Sequence, residues 1–316
     1  MRTTVVRRGI SGALALTAAA AFTVWTAGQA AAVGTPTGFG AGTTGGGSAS
    51  PVTVTSASAL ISAMQSSSPA VIRISGMITI SGMQKVASNK TLLGVGSGSG
   101  ITGGGLNLSG VTNVIIQNLN FTNASDDSIN LQEGTTRVWI DHNTLSHGHD
   151  GLLDIKRASD FVTVSWNRFF NHDKTMLLGH SDDNGSQDRG HLRVSYHHNF
   201  FDGTNQRHPR VRFGNPVHVY NNFYRGVGSY GVASTMEGGT LVEGNSFENT
   251  GDAYHCGEAS SPPGALVARN NTLVGSAGST SGCTGTVRSI PYSYTLDASA
   301  NVKSIVTSGA GVGKVA

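Results

Sequence analysis

The sequence predicts an all-β protein, a single domain wound as a parallel β-helix and closed at its N-terminal end by a capping helix. Three observations carry that prediction. Of 316 residues, 44 are Gly and 8 are Pro. Each Gly inside a helix costs roughly 1 kcal/mol, which disfavours long helices, and the Gly residues show no three-residue period, which excludes collagen. Short apolar stretches alternate at period two, the pattern of half-buried strands. One motif also recurs along the chain: two apolar residues at period two, then Asn, then an aromatic residue or Leu two further on.

The elements follow in order. Arg2, Arg7 and Arg8 precede an apolar run from Ile10 to about Ala27, and Ala27 to Ala32 offers small-residue cleavage sites. Residues 1–32 therefore read as a secretory signal peptide and residues 33–316 as the β-helix domain; a retained membrane anchor is the alternative. The leader holds three Arg and no acid, so the rest of the chain carries 18 basic and 18 acidic residues. Net charge then gives no case for nucleic-acid binding. The expected product is a secreted, extracellular monomer with no nucleic-acid partner and, once mature, no membrane association. The Gly-rich stretch 34–50 reads as a linker, although Phe39 within it suggests packing. Ser58 to Met64 is the best amphipathic helix and would plug the first coil. Val71–Ile74 and Met77–Ile80 would begin the strands.

The recurring Asn slots fall at 119 (where Leu stands), 143, 167, 199, 222, 245 and 271. A repeat near 23 residues is too short for a helical hairpin or a propeller blade. It fits one coil of several short strands, stacked about 4.8 Å above the last. The Asn column then reads as an internal amide ladder at a bend. The longer interval from 167 to 199 implies a polar insertion near residues 180–190. Residues 285–316 are less periodic and are expected to cover the outside. Cys256 and Cys283 are the only cysteines. In an exported chain their even count favours a disulfide, worth about 3 kcal/mol, over two buried thiols.

The same register places the charges. Asp127, Asp150, Lys174 and Arg207 lie seven or eight residues beyond successive slots, so four coils put them in one vertical file on the outside. Asp154 follows Asp150 by four residues and Arg212 follows Arg207 by five. The file is acidic at its N-terminal end and basic at its C-terminal end. Clustered carboxylates repel one another unless a cation sits between them, and oxygen-only ligands suit Ca²⁺ better than Zn²⁺. A basic end beside such an ion suits a polymer with regularly spaced negative charges, an acidic polysaccharide.

Val138-Trp-Ile-Asp-His142, Asp150-Gly-Leu-Leu-Asp154, Val162-Thr-Val-Ser-Trp-Asn167, His172-Asp-Lys174, Leu178-Gly-His-Ser-Asp182 and Arg207-His-Pro-Arg-Val-Arg212 resemble the extracellular pectate lyases of polysaccharide lyase family 1. The resemblance spans roughly Gly38 to Lys314. It implies a right-handed parallel β-helix that cleaves polygalacturonate (pectate) by β-elimination with Ca²⁺, giving 4,5-unsaturated oligogalacturonides. It implies Asp127, Asp150 and Asp154 as the calcium-binding carboxylates, with Asp126 a second candidate beside Asp127. It implies Arg207 as the base that takes the C5 proton, and Lys174 and Arg212 as the residues that grip substrate carboxylates. A guanidinium scarcely deprotonates below pH 12, so a base of this kind implies an alkaline optimum.

Other readings compete. A pectin lyase acting on methylated polymer would break the Asp cluster, a hydrolase would need paired carboxylates flanking a water, and a non-catalytic acidic-polysaccharide-binding β-helix would have no need of Arg207. Asp141-His142 and His197-His198 read as buried hydrogen-bond support, and His147-Gly-His149 as loop rather than a zinc site. Asp173 reads as a group that orients Lys174. Trp139, Trp166 and the ladder Phe169, Phe201, Phe223 and Phe247 read as core.

Overall fold

The computed structural model describes Met1 and residues 32–315; the leader expected over residues 1–32 lies outside them apart from its two ends. From Val52 to Val274 the chain winds as a right-handed parallel β-solenoid. Ten strands stack in one parallel sheet that begins at Val52–Val54, passes through Thr136–Asp141 and Val194–His197, and ends at Ala265–Arg269. The other strands form two further stacks joined at Gly100–Ser109, which pairs with both Asn120–Thr122 and Ile129–Gln132. One of these runs on through Leu153–Ile155, Leu177–Leu178, Arg210–Arg212, Tyr230–Thr235 and Asp252–Cys256. That stack carries the charged file.

The recurring Asn builds one corner of every coil. The residue before each slot sits in the left-handed region: Asn118, His142, Trp166, His198, Asn221 and Asn270 have φ between 49° and 59°. That conformation costs a non-Gly residue about 1–2 kcal/mol, and the following amide offsets it. Asn167 Oδ1 accepts from the backbone N–H and the side-chain Nδ2 of Asn143 at 2.9 and 3.0 Å, while Asn143 Nδ2 also donates to Ile116 O at 2.9 Å. The same pattern links Asn167 to Asn199, Asn222, Asn245 and Asn271 in turn. Buried backbone donors at the bend are thereby satisfied.

Two positions beyond the slot, Phe169, Phe201, Tyr224 and Phe247 stack inside the solenoid with ring centroids 5.3, 4.7 and 4.2 Å apart. Phe223, expected in that ladder, is one residue out of phase. It faces outward, stacks on Phe200 at 5.1 Å and is covered by Val302 and Val306 of the helix Ser299–Gly309. Trp139 is buried, whereas Trp166 is only half-buried, layered between His142 and His198.

The N-terminal end of the solenoid carries the helix that the sequence implied, whereas the Gly-rich stretch read as a linker is bonded to the sheet. The helix Ala57–Gln65 is capped by Ser56 Oγ, which accepts from Ala59 N, and it buries Leu60 and Met64 on the first coil. The Gly-rich stretch is a strap. Phe39 N, Gly40 N, Gly45 N and Gly46 N donate to Ser195 Oγ, Thr163 Oγ1, Asn113 Oδ1 and Thr91 Oγ1 of the ten-stranded sheet. A side chain on Gly46 would collide with the Ala70 backbone. The histidine pairs are structural: His197 bonds to Thr37 and His198 at 3.0 Å, and His198 bonds to Asp297 at 2.8 Å. Asp141 accepts from Gln117, Ser165 and His142. Cys256 and Cys283 form a disulfide. No helix among the described residues is long and apolar enough to cross a membrane.

Candidate active site

Strand pairing sets the file of charges. Ile129 pairs with Leu153, so two residues earlier Asp127 lies level with Gly151; Gly151 pairs with Lys174, and Lys174 with Gln206. Asp127 and Lys174 therefore share one level of the coil, Asp150 precedes it by one residue and Arg207 follows it by one. The four residues lie on one outer strip, in register to within a residue. The coils are not of equal length, and counting from the Asn slot absorbs that difference only approximately.

At the acidic end, Asp126, Asp127 and Asp150 each offer a carboxylate oxygen, all within 4.8 Å of one another. Asp154 is not in that group. It lies on the strand Leu153–Ile155, almost fully buried, with its Oδ1 accepting from Leu177 N at 3.2 Å. It nonetheless adjoins the cluster across Gly151. A Cβ on Gly151 would stand 2.5 Å from Asp154 Oδ1 and 2.8 Å from Asp127 Oδ1. The absent side chain thus leaves a gap flanked by two carboxylate oxygens, one of which, Asp127 Oδ1, accepts from Gly151 N at 2.9 Å.

Sequence reading missed Lys156. Its Nζ lies 3.3 Å from Asp127 Oδ2 and 3.6 Å from Asp154 Oδ2. The signal was available, because side chains two apart on a strand share a face, and Lys156 stands two beyond Asp154. Lys174 Nζ donates to Asp150 Oδ1 at 3.1 Å. The ammonium of Lys174, with Arg207 and Lys156 behind it, holds Asp150 below the usual carboxylate range even though burial opposes this. Burial and the neighbouring Asp127 push Asp154 up to about 7, and burial raises Asp127 as well, against the pull of Lys156. The carboxylates of Asp126, Asp127 and Asp150, with buried Asp154 beside them, outnumber the ammonium groups of Lys156 and Lys174. All the candidate donors are hard oxygens, the set that Ca²⁺ prefers. The cluster is able to chelate a cation.

Asp173 does not orient Lys174. It accepts from Asn205 Nδ2 at 2.6 Å and Gln206 Nε2 at 3.0 Å, which ties the coil of Lys174 to the coil of Arg207. Arg207 has φ 66° and is half-buried. The next residue, His208, turns inward to bond Thr175 Oγ1 at 3.0 Å and Tyr230 O at 2.9 Å, so Arg207 turns outward. Arg207 makes no ion pair among the described residues, and its Nε is buried without a hydrogen-bond partner. Arg212 lies on the next strand with its Nε donating to Asp182 Oδ1 at 2.6 Å. His147 and His149 stay in a loop, where His149 contributes its backbone N–H to Ala124 O.

A strip with an acidic cation cradle at one end and a guanidinium without a carboxylate partner at the other can hold an anionic chain. Comparison with known proteins agrees. A family model described as pectate lyase matches residues 9–315. The chain is 36% identical to a pectate trisaccharide-lyase of Bacillus licheniformis, over 87% of this chain and 84% of the relative. It is 35% identical to pectate lyase E of Dickeya dadantii, over 91% and 88%. Among solved structures, a pectate lyase of Bacillus sp. N165 in complex with trigalacturonate superimposes with a TM-score of 0.78 at 28% identity, covering 88% of this chain and 99% of that one. With its solenoid, its acidic cradle and these likenesses over nearly its whole length, the chain belongs to the pectate lyase family and is an enzyme of that kind.

Proposed function

We propose that the protein is a secreted, calcium-dependent pectate lyase that cuts the α-1,4 links of polygalacturonate by β-elimination. The observation that carries this reading is the pairing of an acidic cradle with an outward, unpaired Arg207 two coils away on the same strip. Asp126, Asp127 and Asp150, with Asp154 across the Gly151 gap, are the residues that would hold Ca²⁺. When bound, the ion supplies positive charge beside a uronate carboxylate and so acidifies the adjacent C5–H. Lys174 and Arg212 hold substrate carboxylates by charge-assisted hydrogen bonds. Arg207, in its neutral form, accepts the C5 proton; the C5–H electron pair becomes the C4–C5 double bond, and the C4–O bond breaks with its electrons on the oxygen of the departing saccharide, which takes a proton from solvent to leave as a hydroxyl. No water is consumed.

The intact acidic cluster argues against a lyase specialised for methylated polymer, whose substrate carries fewer charges for a cation to bridge. The test is the ultraviolet absorbance of 4,5-unsaturated ends released from polygalacturonate, with and without EGTA. Activity should vanish with chelator and return with Ca²⁺. Arg207→Lys should abolish turnover while leaving the circular dichroism spectrum unchanged; a Lys variant of near-native rate would refute Arg207 as the base.

A further inference from the structure

The long interval between Asn167 and Asn199 contains an ordered insertion. After Leu178 the chain forms the 3₁₀ turn Asp182–Asn184 and the short helix Gly185–Asp188. The insertion is pinned at its far end. Asp188 Oδ1 accepts from Ala158 N at 2.8 Å, Gln187 Nε2 donates to Glu133 at 3.2 Å, and Arg189 bonds bidentately to Glu237 at 2.6 and 2.8 Å. Its near end reaches the charged strip, where Asp182 Oδ1 accepts from Arg212 Nε at 2.6 Å. Ser261 Oγ donates to the same carboxylate, lying 2.8 and 2.7 Å from its two oxygens, and in turn accepts from Arg210 Nη2 at 2.7 Å. Ser261 is buried on the turn that follows Cys256 of the disulfide. Arg210 and Arg212 alternate with inward Val211, so both point out of the same strand.

Two like charges two residues apart on one strand face repel each other, and Arg212 would swing into solvent if nothing held it. The Asp182 carboxylate holds it, with Gly179 O 3.4 Å from Nη1 as a weaker stop. Gly179 must be small for this: its φ is 92°, and a Cβ there would stand 2.7 Å from Arg212 Cβ. With Nε and Nη1 so engaged, Nη2 makes no hydrogen bond among the described residues. Burial works against the Asp182 charge, but the bonds from Arg212 and Ser261 and the charge of Arg210 hold the carboxyl below its usual range.

We infer that Asp182 is the positioning residue for Arg212, and that the insertion and the disulfide-closed turn together form a clamp fixing the direction in which Arg212 presents its free edge. This rests on the reading of Arg212 as a residue that grips a uronate carboxylate. The test is a double-mutant cycle with kcat and KM measured on polygalacturonate. Asp182→Ala should lower kcat/KM about tenfold in the native background, the worth of one charge-assisted hydrogen bond at about 1.4 kcal/mol per factor of ten. The loss should fall mainly on KM. Asp182→Asn, which keeps the acceptor but not the charge, should fall between the two. In an Arg212→Ala background the same changes should cost less than about twofold, since coupling disappears with the partner. Ser261→Ala, which leaves Arg212 and Asp182 in place, should lower kcat/KM by a smaller factor and only when Arg212 is present. Equal losses in both backgrounds, or an Asp182→Ala enzyme with native constants, would overturn the positioning role and leave the lyase assignment standing. A native protein that releases no unsaturated ends, or an Arg212→Ala variant with native constants, would overturn the underlying reading and this inference with it.

Discussion

Adding a single methyl group at Gly151 would test the cation cradle most directly. In Gly151→Ala the new Cβ would lie 2.5 Å from Asp154 Oδ1 and 2.8 Å from Asp127 Oδ1. An ordinary carbon–oxygen contact is about 3.4 Å, so the two oxygens must retreat by about 0.9 and 0.6 Å. Neither is free to do so cheaply: Asp154 Oδ1 accepts from Leu177 N and Asp127 Oδ1 from Gly151 N itself. Calcium–oxygen distances span only about 2.3–2.6 Å, so a displacement of this size removes at least one ligand. The calcium concentration for half-maximal activity should rise tenfold or more, about 1.4 kcal/mol. Calorimetric titration of Ca²⁺ into the apoprotein should shift by the same factor. Gly98→Ala is a fair control for handling and expression, because a Cβ there meets nothing within 4 Å and its backbone is not in the left-handed region. An unchanged calcium titration in Gly151→Ala would refute the idea that the ion sits between Asp127 and Asp154 and would confine it to the outer group of Asp126, Asp127 and Asp150.

Two further outcomes follow from the scaffold. Asn199→Ala removes the acceptor of both Asn167 N and Asn167 Nδ2 and the donor to Val164 O in a fully buried site; it should cost about 3–5 kcal/mol in guanidinium unfolding. Asn271→Ala, at the half-buried end of the ladder, should cost about 1 kcal/mol, and equal losses would show that the amides do not act as a stack. Acid should also weaken the fold. Burial lowers His208 to about 3, and burial lowers His218 to about 4 despite its bond to Glu243. Below the ordinary value near 6.5 the unfolded chain takes up these protons and the fold does not. Stability is therefore full above pH 6.5 and falls toward pH 4, by about 4 kcal/mol for the pair at pH 5. A melting temperature that stays flat between pH 7 and pH 5 would contradict this.

The architecture was legible because the Asn slot repeats in the chain what it repeats in space: each amide bonds the amide of the next coil, so spacing in sequence is spacing along the axis. The charged file was legible for the same reason, to within one residue. Phe223 misled because two adjacent aromatics follow Asn222, and periodicity alone does not say which of them turns inward. Lys156 was overlooked because a lysine two beyond an aspartate resembles ordinary surface alternation until Asp127 of the preceding coil is brought beside it. The helix Ser299–Gly309 was hidden by its Ser, Thr and Gly content, although Val302 and Val306 have the spacing of one helical face. Asp182 read as part of a polar loop, since nothing local to residues 180–190 reveals that Arg212 lies beneath it.

The two outer wrappings meet. Phe39 of the early strap packs edge-on against Tyr292 of the late segment at 5.0 Å, and the Tyr292 hydroxyl bonds Ser195 Oγ and His218 Nδ1. A stack of coils would ordinarily be free to unwind from either tip, one turn at a time. Here the early strap, already bonded along the ten-stranded sheet, gains its contact with Tyr292 only once the late segment is in place. The molecule closes like a belt whose buckle arrives at the end, and a polypeptide stopped short of Tyr292 would lack the link between its two outer wrappings.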